Sequence, residues 1–504
     1  MFVHKKGLIK EKFNNWKGKG WYHQRFDGAP YFMSFVCDAE ILFDEELKFG
    51  ADFTVHYCFY DNGKADWYIA NEDIKKVCNA VFNKSKENFN FSSDLIKKWK
   101  EFKDKFYQKI EEIKNADLTK LSNESLLKLH NDSAKIFCKA ISCSSIIDGF
   151  ALGTDELLSE KLKEKFDISD LKDKMRFSEF FTAVTSPLHL SFINQAELEL
   201  LKIAVQKNID SDKKTQLLKE LQEKFFWINN NYIDPVILDT AHFEEEVKKF
   251  QTSNINLEKE LEKLQTLTQK NKVKQEELLN KINADEELRF FVNFTNTLTV
   301  WQDERKKNLL LEVHYFNLFL KEFSSRLNIK HELLKYIIVE EAMNIFNNPP
   351  NSDELKKRIK SSAYYWDKTG YDINSGNHIE NMRKELIGEK KLDKIDDFRG
   401  LSASTGKAMG KVKVVRSVKE ISKVEKGDIL VAVMTRPDYI PAIRKAAAIV
   451  TDEGGITCHA AIIAREIGIP CIIGTKLATK ILKDNDYVEV NANHGWIRLL
   501  KNKD

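Results

Sequence analysis

The chain has 504 residues, 42% hydrophobic and 31% charged, with 80 Lys and Arg against 77 Asp and Glu and a net charge of +3. That length calls for two to four domains with ample core, and the composition is that of a folded globular chain rather than a disordered one. Charges this nearly balanced give no reason to expect a polyanionic or lipid surface, so neither nucleic acid nor a membrane is expected as a partner.

The seven cysteines form no CxxC pair and are spread thinly, which fits free thiols in a reducing compartment. The opening MFVHKKGLIKEKFNNW lacks the apolar core of a leader, and no run reaches the roughly 18 apolar residues a spanning helix needs. A cytoplasmic protein is the expectation.

Residues 1–71 form the first expected unit, a small β-containing one. In it FTVHYCFY and KADWYIA flank Asp61, Asn62 and Gly63, and Asn-Gly supplies the positive φ angles of a tight hairpin. From 72 to 385 helical spacing takes over, with few prolines or glycines, as in LKELQEKFFWI. Leu257, Leu261, Leu264 and Leu278 mark a stripe that a long helical hairpin with a solvated charged face explains better than a partner-binding coil. The aromatic group Phe225, Phe226, Trp227 and Tyr232 fits core packing better than an acceptor pocket.

Residues 386–405 are charged, then small and Ser-containing, and are expected to be a linker. Beyond them, from 406 to 504, short β-type runs (KVKVV, DILVAV, AAIV, CIIG, YVEV, WIRLL) alternate with helical segments as in a compact α/β module. The fold class expected is therefore multidomain α+β: a largely helical body, a small N-terminal β unit and a C-terminal module.

The sharpest local signal is TDEGGITCHAAIIAREIGIPCIIGT, residues 451–475. Gly454 and Gly455 allow backbone conformations closed to other residues and let an anion approach, while Thr457 suits a helix N-cap, with Cys458 next to it. His459 then falls in the first helical turn, where unpaired N–H groups and the helix dipole favour a phosphoryl group. A neutral imidazole is a competent nucleophile near neutral pH, and its phosphoramidate stays reactive enough to be passed on. Ala460, Ala461, Ile463, Ala464 and Ile467 would anchor the helix and leave His459 at an exposed rim.

The segment resembles the phosphohistidine, or mobile, domain of the phosphoenolpyruvate-utilising dikinases, the family that includes phosphoenolpyruvate synthase, pyruvate phosphate dikinase and the rifampicin phosphotransferases. GLSASTGKAMGKVKVV, GDILVAVMTRPDYIPAIRKAAAIVTDEGG and YVEVNANHGWIRLL follow in family order over about residues 400–500. The resemblance implies a swivelling β/β/α domain with the phosphorylated histidine at His459, the glycine loop at Gly454 and Gly455, the adjacent hydroxyl at Thr457 and the helix arginine at Arg465. Asn485 stands where the family favours glycine, and Asn491 and Ala492 stand where many relatives have Asp-Gly, which puts local turn geometry in question.

The resemblance also implies an ATP-grasp domain and, in the synthases, a barrel binding phosphoenolpyruvate. Neither is expected here, because the first 400 residues show no Gly-rich phosphate loop and the chain ends soon after the histidine domain. GLSASTGK at 400–407 spaces its glycines wrongly for a P-loop and lacks the Ser/Thr after its lysine, and HELLK at 331 lacks a second zinc ligand. No metal site is expected.

VWQDERKK at 300–307 is similar to helical segments before the mobile domain of the rifampicin phosphotransferases, which makes Glu304 and Arg305 candidates beside an acceptor pocket; a surface ion pair is the simpler alternative. The function expected is a phosphotransferase component in which His459 carries a phosphoryl group from a donor to a small-molecule acceptor on the helical body. The donor is either phosphoenolpyruvate or ATP with Mg2+, the latter pair bound by an ATP-grasp protein acting in trans. The alternatives are a non-enzymatic phosphocarrier and an unphosphorylated scaffold.

Overall fold

The computed structural model of the protein describes residues 2–500 except 48–49, 89, 176, 207, 253–254, 389–396, 456–457 and 494. It is a mixed α and β protein with two sheets, and its residues divide into two compact units.

The first unit gathers residues 1–154, 231–234 and 312–395. Its five-stranded antiparallel sheet has the order β1 (Trp21–Asp27), β3 (Lys64–Ala70), β2 (Val55–Asp61), β4 (Ser362–Asp367), β5 (Gly370–Ser375). Between β2 and β3, Asn62 and Gly63 take φ of 46° and 84°, the turn the sequence calls for. β2 is buried on both faces: Tyr57 and Phe59 pack with Tyr365, Leu8 and Ile379, while Cys58 on the opposite face places its Sγ 3.8 Å from that of Cys37. The hairpin β4–β5 lies inside the stretch read as helical. Its Tyr- and Trp-rich run suits a strand, but its partner β2 is about three hundred residues away, a pairing that no local periodicity reveals.

The second unit gathers residues 155–230, 235–311 and 396–504. Helices Phe192–Ala204, Ser211–Phe225 and Thr240–Thr252 bury Leu200, Phe225 and Val247 together, so Phe225 is a core residue, and the Trp227 ring packs tilted against Phe192 with centroids 5.1 Å apart. Helix Leu257–Lys281 buries Leu278 but leaves most of its charged length half-buried or exposed. The amide of Asn296, on helix Glu286–Leu327, hydrogen bonds to it through Gln275 at 3.1 Å.

The remaining part of this unit is an eight-stranded sheet of order β6 (Asp397–Arg399), β13 (Trp496–Leu499), β12 (Tyr487–Asn491), β8 (Lys407–Val414), β9 (Ile429–Ala432), β10 (Ala448–Thr451), β11 (Cys471–Ile473), β7 (Leu401–Ser404). Strands β8 to β11 run parallel in the middle and the others antiparallel. Their β-branched and alanine side chains are fully buried in β9 and β10, as parallel strands covered on both faces require. Residues 397–399 and 401–404, read as linker, are edge strands, and 389–396 lie outside the described residues. Asn485 holds φ of 74°, so an asparagine fills the left-handed turn position where glycine is common, and the turn is kept.

Candidate functional site

Strands β9 and β10 are parallel neighbours, so the chain leaves both at the same end of the sheet, the place where open α/β sheets put ligands. Backbone hydrogen bonds lace the two exits together: Asp452 N–H donates to Ala432 O at 3.1 Å and Glu453 N–H to Val433 O at 2.8 Å. This brings the Thr435 and Arg436 turn beside the loop that leads to His459.

His459 opens the helix His459–Ile467, whose Ala460, Ala461, Ile463 and Ala464 are buried against the sheet as its spacing requires. Its Nδ1 is hydrogen bonded to Thr435 Oγ1 at 2.9 Å. The other nitrogen, Nε2, has no hydrogen-bond partner among the described residues and is shielded from solvent. The ring is thus half-buried, where the sequence suggested an open rim. Burial, then the positive charges of Lys306 and Arg436, push its pKa down to about 3, so the imidazole is neutral at physiological pH and keeps its lone pair. Arg436 is itself buried, with Nη2 3.5 Å from Asp438 Oδ2. One uncommitted nucleophilic nitrogen beside two cations, at a helix N-terminus, is an arrangement that attracts a dianion.

Gly454 holds φ of 117°, and a Cβ there would stand 2.7 Å from Cys458 Sγ, so glycine is required by both torsion and space. Gly455 O accepts the Cys458 N–H at 2.9 Å, closing the turn into the helix. The N-cap is Cys458, with no side-chain cap bond; Thr457 lies outside the described residues. Arg465, two turns along, donates Nε to Ala403 O at 2.7 Å and Nη1 to Thr185 O at 3.1 Å. Its guanidinium binds carbonyls there.

In the helix Glu286–Leu327, the residue of the QDERKK run that bears on His459 is Lys306. Glu304 acts instead on His189 and Asp303, and Arg305 is half-buried with interactions of its own. Lys306, Thr435 and Arg436 were all missed from sequence. For the last two a signal existed, a Thr-Arg pair directly after an apolar strand; for Lys306, one cation among several on a charged helix, there was none. Among the described residues no three His, Cys, Asp or Glu side chains come together as metal ligands.

Residues 424–495 match the family model of the PEP-utilising enzyme mobile domain. The C-terminal region carries that domain. A probable phosphoenolpyruvate synthase of Archaeoglobus fulgidus is 64% identical over 114 residues, which are 23% of this chain and 15% of that protein. The phosphoenolpyruvate synthase of Pyrococcus furiosus is 57% identical over 123 residues, 24% of this chain and 15% of that one. In Methanothermobacter thermautotrophicus a probable phosphoenolpyruvate synthase is 54% identical over 99 residues, 20% of this chain and 14% of that protein. The chain therefore spans a small part of these relatives, and the likeness is one of the mobile domain. That likeness supports a phosphoryl-carrying histidine in phosphotransfer.

Proposed function

We propose that the mobile domain carries a phosphoryl group on His459 Nε2, taken from a donor and given to a small-molecule acceptor held by the helical part of the chain. The observation that supports this most is the shielded Nε2, without a partner among the described residues, on a ring that feels the positive charges of Lys306 and Arg436. In the first step the Nε2 lone pair forms a bond to phosphorus as the phosphorus–oxygen bond to the donor breaks, its electrons leaving with the donor oxygen. Thr435 Oγ1 accepts the Nδ1 proton, which fixes the tautomer that frees Nε2. The two cations and the helix N-terminal amides offset the phosphoryl charge, which is most of what this chemistry asks of a protein. In the second step an acceptor oxygen attacks the phosphorus and the lone pair returns to Nε2.

Gly454 and Gly455 shape the approach, Cys458 sets the start of the helix, Thr457 adds a hydroxyl, and Arg465 ties the helix to its surroundings. Glu304 and Arg305 line the acceptor side. ATP and Mg2+ serve the donor step on a partner ATP-grasp protein, with AMP leaving and the terminal phosphoryl going to water or phosphate. Phosphoenolpyruvate is the other donor. For the domain to reach both donor and acceptor it must swivel.

The test is incubation of the full chain with phosphoenolpyruvate, or with ATP, Mg2+ and the candidate partner, followed by intact mass. An acid-labile gain of a single phosphoryl, lost in a folded His459→Ala variant, is the expected result. Equal labelling of both proteins, or none with any donor, overturns the reading.

A further inference from the structure

Arg465 stands on the site helix six positions after His459, about 9 Å along its axis. Its guanidinium spans two carbonyls. Nε donates to Ala403 O of β7 at 2.7 Å, inside the mobile domain, and Nη1 donates to Thr185 O at 3.1 Å, just past helix Phe177–Val184 in the helical part. A rigid planar fork can bridge two fixed acceptors in this way, which the point charge of a lysine cannot. All of these residues belong to the second unit.

The Thr185 end of the bridge is itself pinned. The Thr185 N–H donates to Phe181 O at 3.0 Å, and its Oγ1 to the same carbonyl at 2.8 Å. Val184 O accepts from Gln275 Nε2, and Pro187 O accepts from Asn271 Nδ2 at 2.9 Å, both donors lying on helix Leu257–Lys281. Further along, the Phe192 N–H donates to Asp303 Oδ2 at 3.0 Å, close before Lys306 on helix Glu286–Leu327. Segment 184–192 is thus tied to the helix that carries Lys306, and Arg465 ties the helix that carries His459 to the same segment. A further contact comes from a different helix of the mobile domain: Arg444, after Ile440–Ile443, donates Nη2 to Glu197 Oε1 at 2.9 Å, on helix Phe192–Ala204. Contacts from two helices restrain rotation as well as separation.

We propose that Arg465, with Arg444, is a positioning residue that seats the site helix on segment 184–192 and helix Phe192–Ala204, and so sets where His459 stands relative to the Lys306 helix. The seat is reversible, because it is made of a few polar contacts and one of them is a half-exposed ion pair of small worth. In the seated state burial, then the charges of Lys306 and Arg436, holds His459 down to about 3, so loss of the seat shows at the ring itself. The inference rests on the carrier reading for its purpose. Its test reads seating rather than phosphorylation, so each can fail alone.

The experiment places spin labels at exposed Lys219→Cys and Lys411→Cys in the full chain, with Cys458→Ser because the other native cysteines are buried, and measures the distance distribution. One dominant distance is expected without further change. Arg465→Ala is expected to raise the open population roughly tenfold, the effect of losing a hydrogen bond from a charged group. Glu197→Arg is expected to raise it about fivefold, and adding Arg444→Glu, which remakes the ion pair in reverse, to close it again. In the unlabelled chain, NMR of ring-labelled histidine is expected to show His459 titrating at higher pH in Arg465→Ala than in wild type, by about one pH unit for a tenfold rise in the open population. The Glu197→Arg and Arg444→Glu pair gives the same readouts where Arg465→Ala fails to fold. A folded Arg465→Ala variant with wild-type distances and histidine titration, or a Glu197→Arg opening that Arg444→Glu does not reverse, overturns the proposal.

Discussion

At the scale of the residue, the site depends on which nitrogen of His459 is committed. Thr435 occupies Nδ1 at 2.9 Å, and no described residue occupies Nε2. Replacing Thr435 by Val leaves a similar volume but no hydroxyl to hold the tautomer. Phosphorylation of Thr435→Val is expected to slow by roughly 10- to 100-fold, the equivalent of a lost hydrogen bond to a group that becomes charged, with circular dichroism unchanged. A rate equal to wild type would remove Thr435 from the mechanism. Lys306→Ala takes away a positive charge that acts on the His459 ring, and a slowing on the order of 100-fold is expected in single-turnover labelling. Because His459 stays neutral down to about 3, its labelling rate is expected to change little between about pH 8 and about pH 5. A titration centred near the ordinary histidine value of 6.5 would show that the ring is solvated rather than shielded.

At the scale of the element, one loop does the positioning. Strand β10 ends at Thr451, and its Asp452 carboxylate accepts from Thr475 Oγ1 at 3.1 Å and from the Thr479 amide at 3.1 Å, which pins the loop at its first residue. Gly454 then turns the chain through φ of 117° against Cys458. A Gly454→Ala variant is expected to lose about 1–3 kcal/mol of stability through torsional strain and the contact with Cys458 Sγ, read as a lower urea midpoint. Labelling of His459 should fall more than the stability loss alone explains, because the loop sets the histidine's position. These features were largely legible beforehand. The glycine pair, the alanine-rich helix face and the short apolar strands are local patterns, and local patterns report local conformation. Thr435 was not legible as a partner of His459, since the bond spans 24 positions and depends on β9 and β10 being parallel neighbours.

At the scale of the whole molecule, buried titratable groups shape stability against pH. Burial pushes His56 and His459 down to about 3 and His130 and His314 down to about 4. For these groups the unfolded chain takes up protons that the folded chain does not as pH falls below about 6.5. Their contribution is full above that value and is lost toward acid. Glu453 and Glu466 are raised to about 8 and Asp303 to about 7, chiefly by burial. For carboxyls held neutral the sign reverses: the unfolded chain releases protons above about 4, so stability is lost as pH rises toward about 8. Both effects oppose each other only between these limits, so the urea midpoint is expected to peak between about pH 4 and about pH 6.5 and to fall on either side. A maximum at about pH 9 would contradict the burial of these carboxyls.

Sequence alone determined the mixed helical and β character, the Asn62–Gly63 hairpin, the C-terminal module and the helix that begins at His459. Each of these follows from torsional preference or from hydrophobic spacing within a few residues. Only the tertiary structure decided that β4 and β5 complete the N-terminal sheet, that residues 397–399 and 401–404 form strands, and that Thr435 bonds the imidazole while Lys306 and Arg436 act on it with their charge. Those choices depend on the burial of faces drawn from segments far apart in the chain. Burial also turned an ordinary histidine into a neutral one, because removing water penalises the charged ring more than any neighbour in sequence can.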